Sequence, residues 1–313
     1  MPILSSEEPG TLLTLGHGYS AAALATRCLT AGWRVIGTTR SAEKAAAMRA
    51  DGIEALIWPD PDTAPNTTPN TASDTGGLGE AIAAITHLLI SAAPDGDRDP
   101  VLDGLGALIA ARGKAIRWVG YLSTTGVYGD RAGGWVDEDD PLDAGTDRGR
   151  ARVAAEEAWR AFAAQHGLAL HIFRLAGIYG PGRGPFAKVR AGTAKRIIKP
   201  GQIFSRIHVD DIATVLEASI ARPEAAPGAT AVYNVCDDEP APPEDVLAHA
   251  ASLLGLPPPP EVSFEEAEMT PMARSFYAES KRVSNRRLKD RLGVTLNHPS
   301  YREGLAALLA AET

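Results

Sequence analysis

The chain predicts an α/β fold: a doubly wound parallel sheet with a smaller, discontinuous C-terminal lobe. Three observations carry this. Strand-like runs alternate with helical patterns through the first two thirds of the 313 residues, the order that builds βαβ units. The runs are apolar throughout, as in Leu88-Leu89-Ile90, rather than alternating, as expected of strands covered on both faces. After Arg174 the texture changes to turn-rich junctions, Gly180-Pro181-Gly182-Arg183-Gly184-Pro185 and Asp237-Asp238-Glu239-Pro240-Ala241-Pro242-Pro243, which separate a second lobe from the sheet.

The elements follow in order. Strands are expected at 11–15, 34–38, 54–58, 87–91, 117–122 and 169–174, with helices near 19–31, 41–50, 78–84, 100–112 and 147–166. A helix over 208–221 opens on Asp210-Asp211, a strand spans 231–236, and helices follow at 243–254, 284–292 and 300–311. The polar, proline-rich stretch 59–77 reads as a mobile surface loop, and Pro257–Pro260 as an extended connector. Residues 1–175, with 207–236 returning to them, are expected to form the sheet domain, and 176–206 with 237–313 the lobe.

The first strand ends at Gly16, Gly18 follows, then Ala21, and an alanine-rich helical segment begins. A G-x-G-x-x-[GA] turn between a strand and a helix lets backbone approach a pyrophosphate, which the first amides of the helix then meet. Gly16, His17, Gly18, Tyr19, Ser20 and Ala21 are the candidate contacts; the alternative is a glycine-rich turn with no ligand. The second strand ends in Thr39, Arg40 and Ser41, with no carboxylate before Glu43. An acidic residue at that end holds the ribose of NAD, whereas a guanidinium suits the 2′-phosphate of NADP. NADP is therefore expected over NAD, the alternative being that Arg40 is only a solvated residue at a strand end.

Composition bounds the rest. Hydrophobic content is 44%, charged content 22%, and net charge −8 from 39 acidic and 31 basic residues. No basic tract or aromatic-rich basic stripe points to nucleic acid. No run reaches the ~20 apolar residues of a membrane span, and the N-terminal stretch has no basic region, so a cytoplasmic location is expected. Cys28 and Cys236 read as buried, reduced thiols, and no His, Cys, Asp and Glu spacing suggests a metal.

Five segments in order then resemble one family: Gly16–Ala21, Ser91-Ala92-Ala93-Pro94, Leu122-Ser123-Thr124-Thr125-Gly126-Val127-Tyr128-Gly129, Arg174-Leu175-Ala176-Gly177-Ile178-Tyr179-Gly180-Pro181-Gly182, and Arg206-Ile207-His208-Val209-Asp210-Asp211-Ile212. Together they resemble the extended short-chain dehydrogenase/reductases, the NAD(P)-dependent epimerase/dehydratases. The resemblance implies a Rossmann domain, a small substrate lobe with a cleft between them, and a possible homodimer. It places Ala92 and Ala93 at the cofactor, Tyr179, Ser205 and Arg206 at the substrate, and an assisting hydroxyl at Thr124.

The family's Tyr-x-x-x-Lys pair falls in Arg148-Gly149-Arg150-Ala151-Arg152-Val153-Ala154-Ala155-Glu156, where the Ala-Ala-Glu ending fixes the register. Arg148 stands at the tyrosine position and Arg152 at the lysine position. An arginine stays protonated and cannot cycle a proton as a phenol does. The chain thus resembles atypical members that keep the nucleotide site and lose the catalytic pair. Arg152 still offers a cation for the cofactor ribose, and Arg148 and Arg152 share a helix face that reads either as an anion site or as a solvated basic start. Tyr128 is a candidate substitute acid or a packed structural ring. Asp137, Glu138, Asp139 and Asp140 read as a solvated acidic run, the alternative being that one member faces the cleft, and His208 reads as a structural histidine near a helix cap, the alternative being a base. The expected function is an oxidoreductase or epimerase on a small polar or anionic, sugar-nucleotide-like metabolite; the alternative is a non-catalytic NADP(H)-binding redox sensor or regulatory protein.

Overall fold

The computed structural model describes Leu4 and residues 9–58, 77–223 and 230–312; the stretch 59–76, read above as a surface loop, lies outside them. The sheet strands are β1 (Thr11–Leu15), β2 (Arg34–Thr39), β3 (Glu54–Ile57), β4 (His87–Ile90) and β5 (Trp118–Thr124), with α1 (Tyr19–Thr30), α2 (Ala42–Ala50), α3 (Leu78–Ala84) and α4 (Pro100–Arg112) between them. The two-residue strand β6 (Trp135–Val136), helix α5 (Asp147–His166) and strand β7 (Leu170–Leu175) come next. They are followed by β8 (Gly177–Tyr179), α6 (Phe186–Arg190), β9 (Arg196–Ile198), β10 (Arg206–His208), α7 (Val209–Ile220) and β11 (Thr230–Val235). The chain ends with α8 (Pro243–Leu253), β12 (Glu261–Ser263), α9 (Pro271–Phe276), β13 (Arg282–Val283), α10 (Arg286–Leu292) and α11 (Tyr301–Ala310).

Seven strands form one sheet in the order β11-β7-β5-β4-β1-β2-β3. The pairings of β1 with β2 and β4, of β2 with β3 and of β4 with β5 are parallel. Strand order reverses at β1, which sits between β2 and β4, and ligands of such sheets bind beyond the strand ends at that point. The architecture is the expected α/β, Rossmann-like one, with each strand within a few residues of its expected place.

Packing divides the chain into two compact units, Met1–Ser123 with Ala151–Phe173 and Ala213–Val232, and Thr124–Arg150 with Arg174–Ile212 and Tyr233–Thr313. The core of the first joins Leu13, Leu15, Leu88, Ile90, Val119 and Tyr121 to Leu105, Ile109 and Trp159, all fully or nearly fully buried. Every residue of β4 is buried, which explains why it reads as a continuous apolar run. Helix starts in this unit are set locally. Asp99 accepts from the amides of Val101 and Leu102 at 2.9 and 3.1 Å, with Pro100 next, to begin α4. Helix α1 differs: Gly18 is its N-cap and supplies no side-chain hydrogen bond.

The second unit holds three short parallel pairs, β8 with β10, β9 with β12 and β6 with β13. Its core packs Phe186 and Val189 of α6, Val246 and Ala250 of α8, and Tyr301, Leu305 and Leu308 of α11 around Tyr179.

Candidate functional site

The glycine turn forms as the sequence requires. Gly16 has φ +83°, and a Cβ there would stand 2.8 Å from the Ala92 amide nitrogen, so only glycine fits both the conformation and the approach. The amides of Ser91 and Ala92 both reach the Leu15 carbonyl at 2.9 Å, which brings the β4 end against the turn. The Gly16 amide donates to Thr38 Oγ1 at 2.8 Å and the His17 amide to the Thr38 carbonyl at 2.8 Å. A Cβ on Gly18, by contrast, would meet nothing nearer than 3.8 Å. The turn is held from below and open at Gly18, and the first turn of α1 carries no acidic residue. That combination accommodates a diphosphate at the helix N-terminus.

The expected contacts divide into backbone and packing roles. Ala21 is fully buried and lets α1 lie close to the sheet, and Ser20 is buried beside it. Tyr19 and Ala93 are at least partly exposed. The His17 ring is buried, with Nδ1 2.8 Å from Thr14 Oγ1, and burial, aided by the Lys44 charge, lowers its pKa to about 4. His17 therefore serves as a neutral brace of the turn rather than as a charged ligand.

At the end of β2, Thr39 is buried and its Oγ1 accepts from the Ser41 amide, while Ser41 caps α2 by accepting from the Lys44 amide at 3.2 Å. Arg40 is exposed. Lys44 Nζ donates to the His17 carbonyl, which ties the glycine turn to α2. Lys44 was not among the residues that the sequence singled out; it lies four positions beyond Arg40.

Helix α5 and the end of β5 carry the residues expected at the family's catalytic positions. Thr124 ends β5, is partly exposed, and its Oγ1 accepts from the Gly126 amide at 3.2 Å. Thr146 Oγ1 accepts from the Gly149 amide at 3.1 Å at the start of α5. A Cβ on Gly149 would stand 2.9 Å from the Gly126 carbonyl, so the start of α5 lies directly on the Thr124–Tyr128 turn. Arg148, next to that contact, is exposed. Arg150 bends back to Asp147 and to the Gly145 carbonyl, as its opposite helix face predicts. Arg152 Nη1 donates to the Tyr121 hydroxyl at 3.1 Å and the Leu122 carbonyl at 2.8 Å. Burial pushes the Tyr121 phenol up to about 12, and Arg152 offsets this only in part.

Tyr128 is fully buried. Its hydroxyl donates to Asn234 Oδ1 at 2.7 Å and accepts from Arg174 Nη1 at 2.8 Å, and the Arg174 guanidinium lies 5.0 Å from the ring centroid. Burial pushes its pKa up to about 12. In this structure the substitute-acid candidate is a packed, doubly bonded phenol, because a buried ring needs both partners to satisfy its hydroxyl. Glu138 is the buried member of the acidic loop, accepting from the Asn234 amide at 2.8 Å. Asp137 and Asp140 cap the turn itself.

The substrate candidates of the second unit are engaged within it. Tyr179 donates to the Ser300 carbonyl at 3.3 Å and is pressed by Gly304, whose Cβ position lies 2.0 Å from its hydroxyl; burial raises its pKa well beyond the ordinary phenol value. Ser205 Oγ accepts from the Val283 amide at 3.0 Å. Arg206 Nη1 donates to the carbonyls of Phe204 and Ala241 at 2.9 and 3.0 Å. His208 is buried at the start of α7, its Nδ1 accepting from the Asp210 amide at 3.2 Å, the expected place near a cap. The fold also brings His298 from a distant segment to His208, ring centroids 3.9 Å apart, a grouping that local spacing cannot reveal.

Comparison with known proteins fits this geometry. The model of the NAD dependent epimerase/dehydratase family matches residues 12–236. A 3-diazoavenalumate denitrifying reductase from a Streptomyces species is 33% identical over 185 residues, 54% of this chain and 58% of that protein; the chain thus spans under two thirds of that relative's length. A conserved protein of unknown function from Silicibacter pomeroyi superposes with a TM-score of 0.84 at 56% identity, covering 96% of this chain and 99% of the other. The human epimerase family protein SDR39U1, solved with NADPH, superposes at 0.68 with 16% identity over 96% and 99% of the two chains. With a glycine turn at a switch-point sheet and a family model that matches residues 12–236, the chain belongs to the NAD dependent epimerase/dehydratase family, as an atypical extended member.

Proposed function

We propose that the chain is an NADP(H)-binding protein that acts as an oxidoreductase or epimerase on a small polar or anionic metabolite of the sugar-nucleotide kind. One observation carries this reading: an uncapped helix N-terminus over an open Gly18, with Arg40 and Lys44 following at the end of β2 and the start of α2. The first amides of α1 would hold the diphosphate, Arg40 and Lys44 the adenosine-side phosphate, Ala92 and Ala93 the dinucleotide's flank, and Arg152 the nicotinamide ribose. Guanidinium and ammonium both reward a 2′-phosphate and gain nothing from a bare hydroxyl. When bound, the nicotinamide supplies the oxidising or reducing equivalents.

The chain's own residues then orient and polarise. Thr124 Oγ1 already accepts from Gly126, which leaves its O–H to donate to a substrate oxygen. Arg148 offers a permanent cation for an anionic substrate group. No group at the family's tyrosine position cycles a proton, so the reading calls for chemistry in which positioning and charge dominate.

A second reading, a non-catalytic NADP(H) sensor, is favoured by Tyr128: its hydroxyl is spent on Asn234 and Arg174. Both readings share the nucleotide site. Titration of NADPH and NADH by nicotinamide fluorescence, followed by assay on aldehydes, ketones and sugar nucleotides, separates them. Arg40→Ala is expected to weaken NADPH about tenfold or more, the worth of one charge-assisted hydrogen bond, with NADH little changed. Equal weakening of the two removes the 2′-phosphate assignment. Tight NADPH binding without turnover on any substrate selects the sensor.

A further inference from the structure

We propose that His208, Asp210 and His298 form a binding site for a borderline divalent cation of the zinc class. The three offer one ligand atom each, all within 4.8 Å of one another. His208 Nδ1 lies 3.7 Å from Asp210 Oδ2, and His298 Nε2 lies 3.8 Å from the same oxygen. Ligand atoms around a tetrahedral ion at ~2.0–2.1 Å stand about 3.3 Å apart. Two of the edges therefore close with movements of about half an ångström, within the reach of side-chain rotation alone.

The surroundings are built to hold this arrangement. Asp211 accepts from the amides of Asn297 and His298 at 2.6 and 2.9 Å, which fixes the His298 segment against the start of α7. The Tyr179 ring meets His208 edge-on at 5.2 Å and limits its rotation. His208 Nδ1, the atom that faces Asp210, accepts from the Asp210 amide at 3.2 Å, a long hydrogen bond that an ion at this nitrogen would replace. Asp210 is exposed and His298 partly so, which gives an ion a path in.

The donor set selects the ion. Two imidazoles and one carboxylate suit Zn²⁺ and its neighbours, whereas Mg²⁺ and Ca²⁺ require an oxygen-dominated shell. Three protein ligands leave a fourth position for water. Bound metal would staple the β10–α7 junction to the segment before α11 and add stability to the folded state by mass action. This proposal stands independently of the nucleotide reading, since every residue in it belongs to the second unit.

The test uses the full chain stripped with chelator and titrated with ZnCl₂ by equilibrium dialysis, with Co²⁺ as a spectroscopic probe. One equivalent is expected, with a Kd of about 10 µM or tighter, visible d–d bands of four-coordinate Co²⁺, and a higher Tm with metal. His298→Ala and Asp210→Asn should each weaken binding about tenfold or more while keeping the circular dichroism of the parent. His166→Ala, at the far end of α5, is the control and should bind as the parent does. Absence of zinc binding up to about 1 mM, or binding equal in the parent and in both variants, overturns the site.

Discussion

The turn between β1 and α1 and the start of α5 are both glycine-dependent junctions, yet they are used differently. At Gly16 a side chain would strike the Ala92 backbone, and the space above Gly18 stays open. At Gly149 a side chain would strike the Gly126 carbonyl, and the neighbouring position carries an exposed Arg148 where the family resemblance expects a tyrosine. The first junction has the geometry that its proposed role needs. The second has a packed helix start and turn, with an arginine where the proposed register calls for a phenol. Scaffold and chemistry are thus separable: backbone packing preserves a helix position whatever side chain it presents to solvent.

The largest effect is expected at Gly18. Because nothing lies within 3.8 Å of its Cβ position, Gly18→Val should cost little beyond the poorer N-cap, about 1 kcal/mol. A side chain there fills the space assigned to the diphosphate, so NADPH affinity should fall about 100-fold, some 2.7 kcal/mol. Paired thermal melts and fluorescence titrations read both quantities. Unchanged affinity would mean that the dinucleotide does not use this turn.

The contrast also explains what could be read from the chain. The β1–α1 turn was legible because its determinants are local: a strand, two glycines and a helix within a dozen or so residues. Lys44 was not, because only the path of α2 brings its ammonium to the His17 carbonyl. The partners of Tyr128, Arg174 and Asn234, come from two later strands, so its sequence neighbours gave no sign of a spent hydroxyl. The two-residue strands β6 and β13 exist through their mutual pairing, and neither has a periodicity of its own to read. His208 and His298 meet for the same tertiary reason.

Tyr128 belongs to the packed side of the molecule. Tyr128→Phe leaves a buried carboxamide oxygen and a buried guanidinium each short of one hydrogen bond, a loss of about 1–3 kcal/mol. Chemical denaturation should show that loss with an unchanged m value. Cofactor affinity should stay the same, because the network lies wholly in the second unit. The folded phenol, pushed up to about 12, binds its proton more tightly than an unfolded tyrosine near 10. The group therefore favours the folded state fully below about pH 10, and that contribution disappears as pH rises through about 12. A stability profile of the parent should steepen downward over that alkaline window, and in Tyr128→Phe that component should be missing. Turnover that vanished in a variant of parental stability would instead make Tyr128 the relocated acid.

The smallest effect is expected at Arg148. It is exposed, so Arg148→Ala should change stability by no more than about 0.5 kcal/mol. Its use as an anion anchor predicts a change of another kind: a raised KM for anionic substrates with kcat retained, since a fixed cation binds substrate and transition state alike. The matching variant Arg148→Tyr restores the family's residue at an intact helix position. If the site lost only its proton donor, that variant should gain turnover on a neutral ketone or sugar-nucleotide substrate, with Arg152 as the adjacent cation. If it stays silent while NADPH binds normally, the chain has diverged beyond this one side chain, and the sensor reading gains over the enzyme.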